Sequence, residues 1–435
     1  MSRVVVVGAG VGGLAAAARL ARLRHDVVVV EQTPVVGGRW RPREHDGFRF
    51  EPVAADVRLP AVWRDLFLKT GKPLETVVEL TATDLVADHV FADGTRLRLP
   101  GGGARETTDA VTATLGPAAT ADWERLLEVG RRVWDAGRSP LLEAPLAARD
   151  LRSWALRHPT SARLLSSRRD LRAATRAVRD RRVRAVIDHH AAAAGWAAGS
   201  APATVAALPY VEQTFQVWRP TGGIGALINA VHERALSRGA VVVTGVRAVG
   251  VTTANGGVSG VRLEDGRSLP AEVVVSDVGP RVLYGELLPD PASLRRLRST
   301  ISTDVLLVLR GRTVDAPTRT RWHGSPSLDV LVDPTAAPPE HEAAVVSLPP
   351  RVPVATADDA LDLLATRGLD LRDRVVVAVL RTVDGDVPGP RLLPEPGPET
   401  GVPGLFTVGR SPAFGRDLAF VVASAAAVGE RVGRA

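Results

Sequence analysis

The chain has 435 residues, of which 45% are hydrophobic and 24% charged, and its formal net charge is +7. A chain of this length with this composition is expected to form a globular protein of two domains. The sequence contains no cysteine, which excludes disulfides, thiolate metal sites, a cysteine nucleophile and a flavin attached through a cysteinyl thioether.

The first predicted elements form a βαβ unit. Residues 3–8 read Arg-Val-Val-Val-Val-Gly, which predicts a buried parallel strand that ends in a glycine turn. An alanine-rich helix is predicted over residues 12–23 and a second strand over residues 27–31. A unit of this kind is typical of dinucleotide-binding domains. No leader segment precedes the first strand, so a cytoplasmic protein is expected.

The next region is predicted to be mostly helical. A helix is expected over residues 60–70 and a hairpin over 88–99, and residues 100–119 are predicted as a loop. Residues 120–193 show the apolar periodicity of helices. Between Arg149 and Arg184 there are twelve arginines and three aspartates. Two interpretations stay open, a solvated helix face or a basic surface that contacts a membrane or an acidic carrier protein. Nucleic acid is not expected, because aromatic interleaving for base stacking is absent.

The second half repeats the α/β alternation. The predicted elements are a helix over 224–238, strands over 241–244, 246–252, 257–263, 267–269, 271–276, 301–310 and 343–348, a helix over 355–366, and a strand, loop and helix over 404–435.

A glycine loop connects the first strand to the first helix. Gly8, Gly10 and Gly13 fit the pattern G-x-G-x-x-G, in which the glycines permit the turn, the approach of a pyrophosphate and the packing of helix on strand. Glu31 ends the second strand, where a carboxylate can accept both hydroxyls of a ribose. These residues predict a nucleotide site.

The segment after Glu31 distinguishes FAD from NAD. Gly37 and Gly38 permit close approach to a ribityl-pyrophosphate, and Arg39 offers a guanidinium to a phosphate or a ribose edge. With this motif the chain resembles the FAD-dependent amine oxidase superfamily, and within it the phytoene-desaturase-like flavoproteins. Further similar segments are Gly47-Phe48-Arg49-Phe50-Glu51, Pro209-Tyr210-Val211-Glu212, Val273-Val274-Val275-Ser276-Asp277 and Gly404-Leu405-Phe406-Thr407-Val408-Gly409.

The resemblance implies an α/β fold with a discontinuous Rossmann-like FAD-binding domain of the GR2 type, over residues 1–60, 222–290 and 400–435. It also implies a substrate domain of helices and antiparallel strands over residues 61–221 and 291–399. The cofactor-binding residues that it implies are Gly8, Gly10, Gly13, Glu31, Gly37, Gly38, Arg39, Ala248, Gly409, Gly415 and Leu418.

The chain departs from the family pattern where the flavin ring is expected. Val53 stands in place of a glycine, and Arg416 and Asp417 stand where backbone usually approaches the ring. Arg416 and Asp417 are therefore the candidate catalytic residues, with Arg416 able to stabilise the anionic reduced flavin by its charge. Three interpretations stay open: the substitutions are tolerated, the flavin binds in a shifted position, or the ring site is lost.

The expected function follows from the resemblance. It implies dehydrogenation of a C–C bond in an apolar polyene, terpenoid or polyketide-like substrate, with hydride transfer to FAD and reoxidation by oxygen or a quinone. Tyrosines for an aromatic cage could come only from Tyr210 and Tyr284. The sequence therefore favours a desaturase over an amine oxidase. A non-redox isomerase or cyclase, and a non-enzymatic protein that binds an apolar ligand, stay open as alternatives.

Two further candidates are weaker. His189 and His190 are adjacent on a predicted helix and point to different sides, so they are expected at the surface or along a cavity, and no metal site is predicted. Glu212 is either near the substrate or part of a structural hydrogen bond. The partners expected are an apolar small molecule and, at the Arg149–Arg184 region, the surface of a membrane.

Overall fold

The computed structural model describes residues 1–52, 56–143, 146, 149–166, 170–194, 196, 201–295, 297–314, 318–324, 326–349, 352–388, 398–409 and 417–435. The strands are β1 (Arg3–Val7), β2 (Asp26–Glu31), β3 (Arg43–His45), β4 (Phe48–Phe50), β5 (Leu80–Ala82), β6 (Leu85–Val90), β7 (Arg96–Pro100), β8 (Trp218–Pro220), β9 (Val241–Thr244), β10 (Ala248–Ala254), β11 (Gly257–Leu263), β12 (Ser268–Pro270), β13 (Val273–Ser276), β14 (Leu297–Arg310), β15 (Thr318–Trp322), β16 (Leu328–Asp333), β17 (His341–Leu348), β18 (Val375–Pro388) and β19 (Leu405–Thr407). The α-helices are α1 (Val11–Arg22), α2 (Pro60–Thr70), α3 (Ala104–Leu115), α4 (Pro117–Arg138), α5 (Leu151–Arg157), α6 (Pro159–Leu165), α7 (Leu171–Ala174), α8 (Arg181–Ala193), α9 (Ala207–Phe215), α10 (Gly223–Ser237), α11 (Pro280–Val282), α12 (Pro291–Leu294), α13 (Ala357–Ala365) and α14 (Leu418–Val432).

A five-stranded parallel sheet carries the glycine loop. Its strand order is β19-β13-β1-β2-β9, so strands from three distant parts of the chain lie side by side. The valine runs of β1, β2 and β13 are largely buried, as expected of parallel strands that helices cover, whereas the edge strand β9 is partly exposed. Helix α1 packs against both α10 and α14, and the three helices share a core with the sheet. The predicted Rossmann-like α/β fold is confirmed.

A seven-stranded mixed sheet forms the second large layer. Its order is β18-β14-β17-β16-β15-β6-β7, and all neighbours are antiparallel except β15 and β6. Side chains alternate along a strand, so Val305, Leu307 and Leu309 of β14 share one face and pack with the apolar side of α13. Asp304 and Leu306 lie on the opposite face, which lines the cavity described below.

The prediction of a loop over residues 100–119 is wrong. Helix α3 occupies Ala104–Leu115, between Gly103 and Gly116, which both have positive φ. Thr107, Val111 and Leu115 are spaced by four residues and are buried along one face. The glycines and threonines that suggested a loop therefore flank a helix or lie within it.

The predicted helical region over 120–193 is divided into several helices. Helix α4 buries the expected stripe, which includes Trp123, Leu126, Val133 and Trp134, in a second core with α8 and α9. The shorter helices α5 to α8 follow, and α6 begins at a proline. No helix within the described ranges is long and apolar enough to cross a membrane.

Candidate active site

The glycine loop has a geometry that other residues would disrupt. Gly8 has a φ of +101°, and its amide donates to the carbonyl oxygen of Val30 at 2.8 Å. A Cβ at Gly13 would lie 2.1 Å from the carbonyl oxygen of Gly8, far inside contact distance. The close packing of α1 on β1 therefore requires glycine at position 13, as the fingerprint predicts.

A second glycine segment lies against this loop. The amide of Gly37 donates to the carbonyl oxygen of Ala9 at 2.8 Å, and Gly37 has a φ of +104°. A Cβ at Gly38 would lie 3.1 Å from the Cα of Gly10. The two predicted glycine motifs, separated by some two dozen residues in the sequence, thus form one backbone surface without side chains.

Glu31 lies at the carboxyl end of β2, beside the loop. Its carboxylate accepts hydrogen bonds from the amide of Ala9 at 2.8 Å and from the amide and hydroxyl of Thr33 at 2.9 and 2.8 Å. These donors hold the carboxylate at the sheet edge where a nucleotide ribose binds in this fold.

Asp277 follows β13 directly and lies over the glycine loop. The backbone amides of Gly10 and Gly13 face its carboxyl group and favour its anionic form. Burial, together with the nearby charge of Glu31, raises the pKa of Asp277 to about 7. Asp277 is not among the site residues predicted from the sequence, although its position at the end of an apolar strand is a usable signal.

The residues at the sheet edge fit the ADP half of FAD. The amides of Gly10 and Gly13 stand at the N-terminus of α1, the arrangement that binds a diphosphate. The carboxyl oxygens of Asp277, which face these amides, occupy the side on which a diphosphate oxygen would accept from them. Gly409, with a φ of +94°, lies beside them, since a Cβ at Gly12 would lie 2.8 Å from the amide nitrogen of Gly409.

A cavity of about 200 Å³ lies where the glycine segments approach the seven-stranded sheet. Its apolar wall includes Trp40, Phe50, Leu306 and Val345. Its polar wall is unusual for a pocket, because six arginines contribute to it: Arg39, Arg43, Arg58, Arg319, Arg321 and Arg381. A cavity of this composition combines an apolar surface with strong positive charge.

One part of the polar wall is a buried ionic network around Arg58. Arg58 donates from Nε to Glu212 Oε1 at 3.0 Å, and its Nη1 pairs with Asp417. Although burial alone would lower it, the charges of Glu212 and Asp417 raise the pKa of Arg58. His190 Nε2 lies 3.3 Å from Glu212 Oε2. Glu212 therefore accepts a structural hydrogen bond in this network, which is one of the two roles predicted for it.

A second network continues along the wall. Arg319 donates to Asp329 at 2.9 Å and to Asp56 at 2.6 Å, and His189 Nε2 lies 3.2 Å from Asp329 Oδ2. Arg321 is fully buried, 3.6 Å from Glu212, and its Nε and Nη1 have no hydrogen-bond partner. Unsatisfied guanidinium atoms in a buried wall are costly, so a water or a ligand oxygen that accepts from them would stabilise this wall.

The buried histidines are neutral at pH 7. Burial lowers the pKa of His189 to about 4 and also lowers the pKa of His190. Both line the cavity, which confirms one of the two positions expected from the sequence. His89 Nδ1 lies 2.7 Å from His323 Nε2. In the described ranges no group of three or more histidines and carboxylates could hold a metal ion.

The remaining predicted site residues divide between the sheet edge and the cavity. Asp417 is the N-cap of α14, accepting from the amide of Ala419 at 3.0 Å, and Leu418 is buried behind it. Arg39 lines the cavity, and Ala248 begins β10. Three residues named in the sequence analysis lie outside the described residues: Val53, Gly415 and Arg416.

Most of the chain matches one known protein family. The sequence profile of the flavin containing amine oxidoreductases matches residues 11–390, which is most of the chain. The chain belongs to this family. FAD is its cofactor, in agreement with the prediction from Gly8 to Arg39.

Within the flavin-containing amine oxidoreductases, similar proteins include carotenoid desaturases. The hydroxyneurosporene desaturase of Cereibacter sphaeroides is 32% identical over 298 residues, which cover 66% of this chain and 58% of that protein. The zeta-carotene-forming phytoene desaturase of Myxococcus xanthus is 30% identical, with 68% of this chain and 57% of that protein covered. The chain thus spans less than two thirds of the length of these relatives.

Solved structures share the fold of this chain. A putrescine oxidase variant matches with a TM-score of 0.66 and 18% identity, covering 99% of this chain and 98% of that chain. An oxidoreductase from Methanosarcina mazei matches with a TM-score of 0.63 and 17% identity, covering 98% of this chain and all of that chain.

Proposed function

We propose that this protein is an FAD-dependent desaturase that dehydrogenates a C–C bond in a polyene or a related apolar chain. The observation that carries the proposal is the cavity, which joins the predicted FAD-binding segment Gly38–Trp40 to the face of the seven-stranded sheet that carries Leu306 and Val345. A substrate in this cavity is held between the cofactor motifs and a wall of fixed side chains. The similarity to carotenoid desaturases supports an apolar substrate.

The reaction removes one hydride and one proton from adjacent carbons. FAD, when bound, supplies the hydride acceptor, and oxygen or a quinone then takes up the two electrons. The chain contributes orientation along Trp40, Phe50 and Leu306 and excludes water from the reacting carbons. These roles require shape and an apolar wall more than strong acid–base chemistry.

Glu51 is the proposed acceptor of the proton. It lines the cavity, and burial raises the pKa of its carboxyl group, although Arg49 pairs with it at 2.5 Å. A carboxylate with a raised pKa is a better base than an exposed one. We expect Glu51→Gln to lower the turnover number at least tenfold while FAD stays bound, and the exposed control Glu79→Gln to have no effect.

Arg416 and Asp417 remain proposed catalytic residues with different roles. Arg416 would stabilise the negative charge of the reduced flavin. Asp417, which pairs with Arg58 and caps α14, would position the helix end against the flavin ring. Substitution Arg416→Gly tests the first role: lost turnover with FAD retained supports it, and tighter FAD binding shows that the arginine obstructs the ring.

The basic region Arg149–Arg184 is the proposed contact with a membrane, from which an apolar substrate is collected. Arg149 is 81% exposed, and Leu156 is an exposed apolar residue at 84% among exposed arginines. We expect the protein to sediment with vesicles that contain anionic lipid and not with neutral vesicles. Equal sedimentation with both would contradict this contact.

The overall proposal is tested by product analysis. The FAD-loaded protein is incubated with phytoene in anionic liposomes, with air or a soluble quinone as the electron acceptor. We expect a product with a longer conjugated system and therefore absorption at longer wavelength. An isomerised or cyclised product without net oxidation would favour a non-redox isomerase or cyclase, and bound but unchanged phytoene would favour a binding protein.

A further inference from the structure

Three arginines at one end of the cavity have little compensating negative charge. Arg39 belongs to the turn Gly38–Trp40, Arg43 begins β3, and Arg381 lies on β18. All three line the cavity, and Asp304 is the carboxylate whose charge acts on them. This group of Arg39, Arg43 and Arg381 is called the arginine triad below.

The pairing of strands explains how the triad is assembled. In the seven-stranded sheet Asp304 of β14 is directly opposite Arg381 of β18 on one side and Ser347 of β17 on the other. Directly opposite residues share a face of the sheet, and all three line the cavity. Ser347 donates to Asp304 Oδ1 at 2.6 Å. The sheet thus presents fixed polar groups towards Arg39 and Arg43 on the cofactor side.

The charges of the triad repel one another. Burial, together with the neighbouring charges of Arg381 and Arg41, lowers the pKa of Arg43 to about 10. Burial also lowers the pKa of Arg39, and the charge of Arg381 contributes to this decrease. The Nε of Arg43 is buried and has no hydrogen-bond partner. Among the described residues, no ion pair within 4 Å joins a carboxylate to any guanidinium of the triad.

In the rest of the cavity wall the arginines are paired with carboxylates. There, Arg58 and Arg319 form short ion pairs with Glu212, Asp417, Asp56 and Asp329. That part of the wall is internally compensated, as buried ion pairs usually are. The triad has three cations for the single carboxylate of Asp304. The positive surplus of the cavity is therefore confined to one end.

We propose that the arginine triad binds an oxyanion at the end of the substrate, so that the substrate is an amphipathic chain with a carboxylate terminus. This inference rests on the proposed function and narrows its substrate class. Arginine side chains bind carboxylates in a bidentate manner that fixes orientation as well as position. A carboxylate at the triad would place the attached apolar chain along Trp40, Phe50 and Leu306.

The same chemistry could be supplied by the diphosphate of FAD, because Arg39 lies on the cofactor side. The diphosphate has its own donors in the amides of Gly10 and Gly13, whereas Arg381 and Asp304 lie on the sheet across the cavity. Arg43 and Arg381 lie outside the segment Gly37–Gly38 that contacts the glycine loop, so their replacement separates the two sources. If they serve the substrate, their replacement leaves the FAD content unchanged.

The test compares a polyene carboxylate with its uncharged ester. The probes are cis-parinarate and methyl cis-parinarate, whose fluorescence reports transfer to an apolar site, and they are titrated into the FAD-loaded protein. We expect the wild-type protein to bind the acid at least tenfold more tightly than the ester. We expect Arg43→Gln and Arg381→Gln each to remove most of this preference without weakening ester binding, and Arg43→Lys to retain part of it.

The controls make each outcome decisive. Arg105→Gln, at a side chain that is 95% exposed, should bind both probes as the wild type does. Equal affinity of the wild type for acid and ester, including no measurable binding of either, overturns the proposal. A preference that survives in Arg43→Gln and Arg381→Gln also overturns it. Loss of FAD from both variants, with a matched melting temperature, assigns the triad to the cofactor diphosphate instead.

This result is separable from the proposed function. If the protein oxidises neutral phytoene but does not distinguish the two probes, the desaturase proposal stands and the triad proposal fails. If the probes are distinguished through Arg43 and Arg381 but no polyene is oxidised, the anion site stands and the desaturase proposal fails.

Discussion

The carboxyl group of Asp277 lies against Gly10 in the glycine loop, and a Cβ at Gly10 would lie 2.4 Å from Asp277 Oδ2. The carboxyl group faces the amides of Gly10 and Gly13, the donors that a diphosphate uses in this fold. Cofactor and side chain therefore compete for the same amides. The protonation of Asp277 decides how strongly they compete.

The competition predicts a pH dependence of FAD binding. The pKa of Asp277 is raised to about 7, so the group is mostly neutral below pH 7 and anionic above it. The anion repels a diphosphate, so we expect the affinity of the apoprotein for FAD to fall as pH rises from 6 to 8. Asp277→Asn should bind FAD about tenfold more tightly than the wild type at pH 8, since a difference of about 1.4 kcal/mol is tenfold.

Quenching of FAD fluorescence on titration with apoprotein measures this affinity. The matched control is Asp265→Asn, which changes an exposed aspartate in a turn. An unchanged pH dependence in Asp277→Asn would show that Asp277 does not oppose the cofactor.

The close packing at Gly13 predicts a sharp effect of a single methyl group. A Cβ there would lie 2.1 Å from the carbonyl oxygen of Gly8, so α1 must move away from the loop in Gly13→Ala. We expect FAD content, measured from the visible absorbance per protein, to fall below a tenth of the wild-type value. Gly401→Ala is the control, because a Cβ at Gly401 meets nothing within 4 Å. Normal FAD content in Gly13→Ala would contradict the described packing.

The buried histidines predict a loss of stability in acid. His189 has a pKa lowered to about 4 by burial, whereas an unfolded histidine has a pKa of about 6.5. A group with a lowered folded pKa stabilises the fold above the unfolded pKa and loses this contribution as pH falls towards the folded pKa. Between pH 7 and pH 5, His189 should cost the wild type about 2 kcal/mol of unfolding free energy.

Urea denaturation of wild type and His189→Asn at the two pH values measures this effect. The difference in unfolding free energy between the proteins should shrink as pH falls, because only the wild type carries this titrating group. His45→Asn, at a largely exposed histidine, should not change the pH dependence. The same slope in wild type and His189→Asn would contradict burial of a neutral imidazole.

The ionic network predicts strong coupling between Arg58 and its two carboxylates. Removal of one partner leaves uncompensated buried charge, so Arg58→Gln should destabilise the fold by about 3–5 kcal/mol. The double variant Arg58→Gln with Glu212→Gln should recover part of this loss, because one of the unpaired carboxylates is removed. Additive effects in a double-mutant cycle would show that the pair is not coupled.

The features that sequence could predict are local. The glycine loop, Glu31 and the segment Gly37–Arg39 are short patterns whose residue types follow from backbone geometry, and the structure brings them together as expected. Helix α3 was not predicted, because Gly103 and Gly116 are typical of loops although they border a helix with a buried stripe. Position relative to a helix, and not composition alone, decides the role of such glycines.

The features that sequence could not predict depend on distant pairing. Asp277 lies far from Gly10 in the chain and meets it only because β13 pairs with β1. Likewise Arg381 lies opposite Asp304 because of the register of β18 on β14. Arg43 reaches the same cavity from β3, which is far away in the sequence. Neither strand register nor the approach of two sheets leaves a local signal in one sequence.

The most direct test of the central claim is anaerobic mixing of the FAD-loaded protein with phytoene, followed by the visible flavin absorbance. We predict that the flavin bands bleach in a single turnover, that the lipid gains one double bond per FAD reduced, and that oxygen or a quinone restores the bands. A protein whose flavin bleaches with dithionite but not with phytoene or a carboxylate-ended polyene, or one that cannot be reconstituted with FAD, would contradict the account.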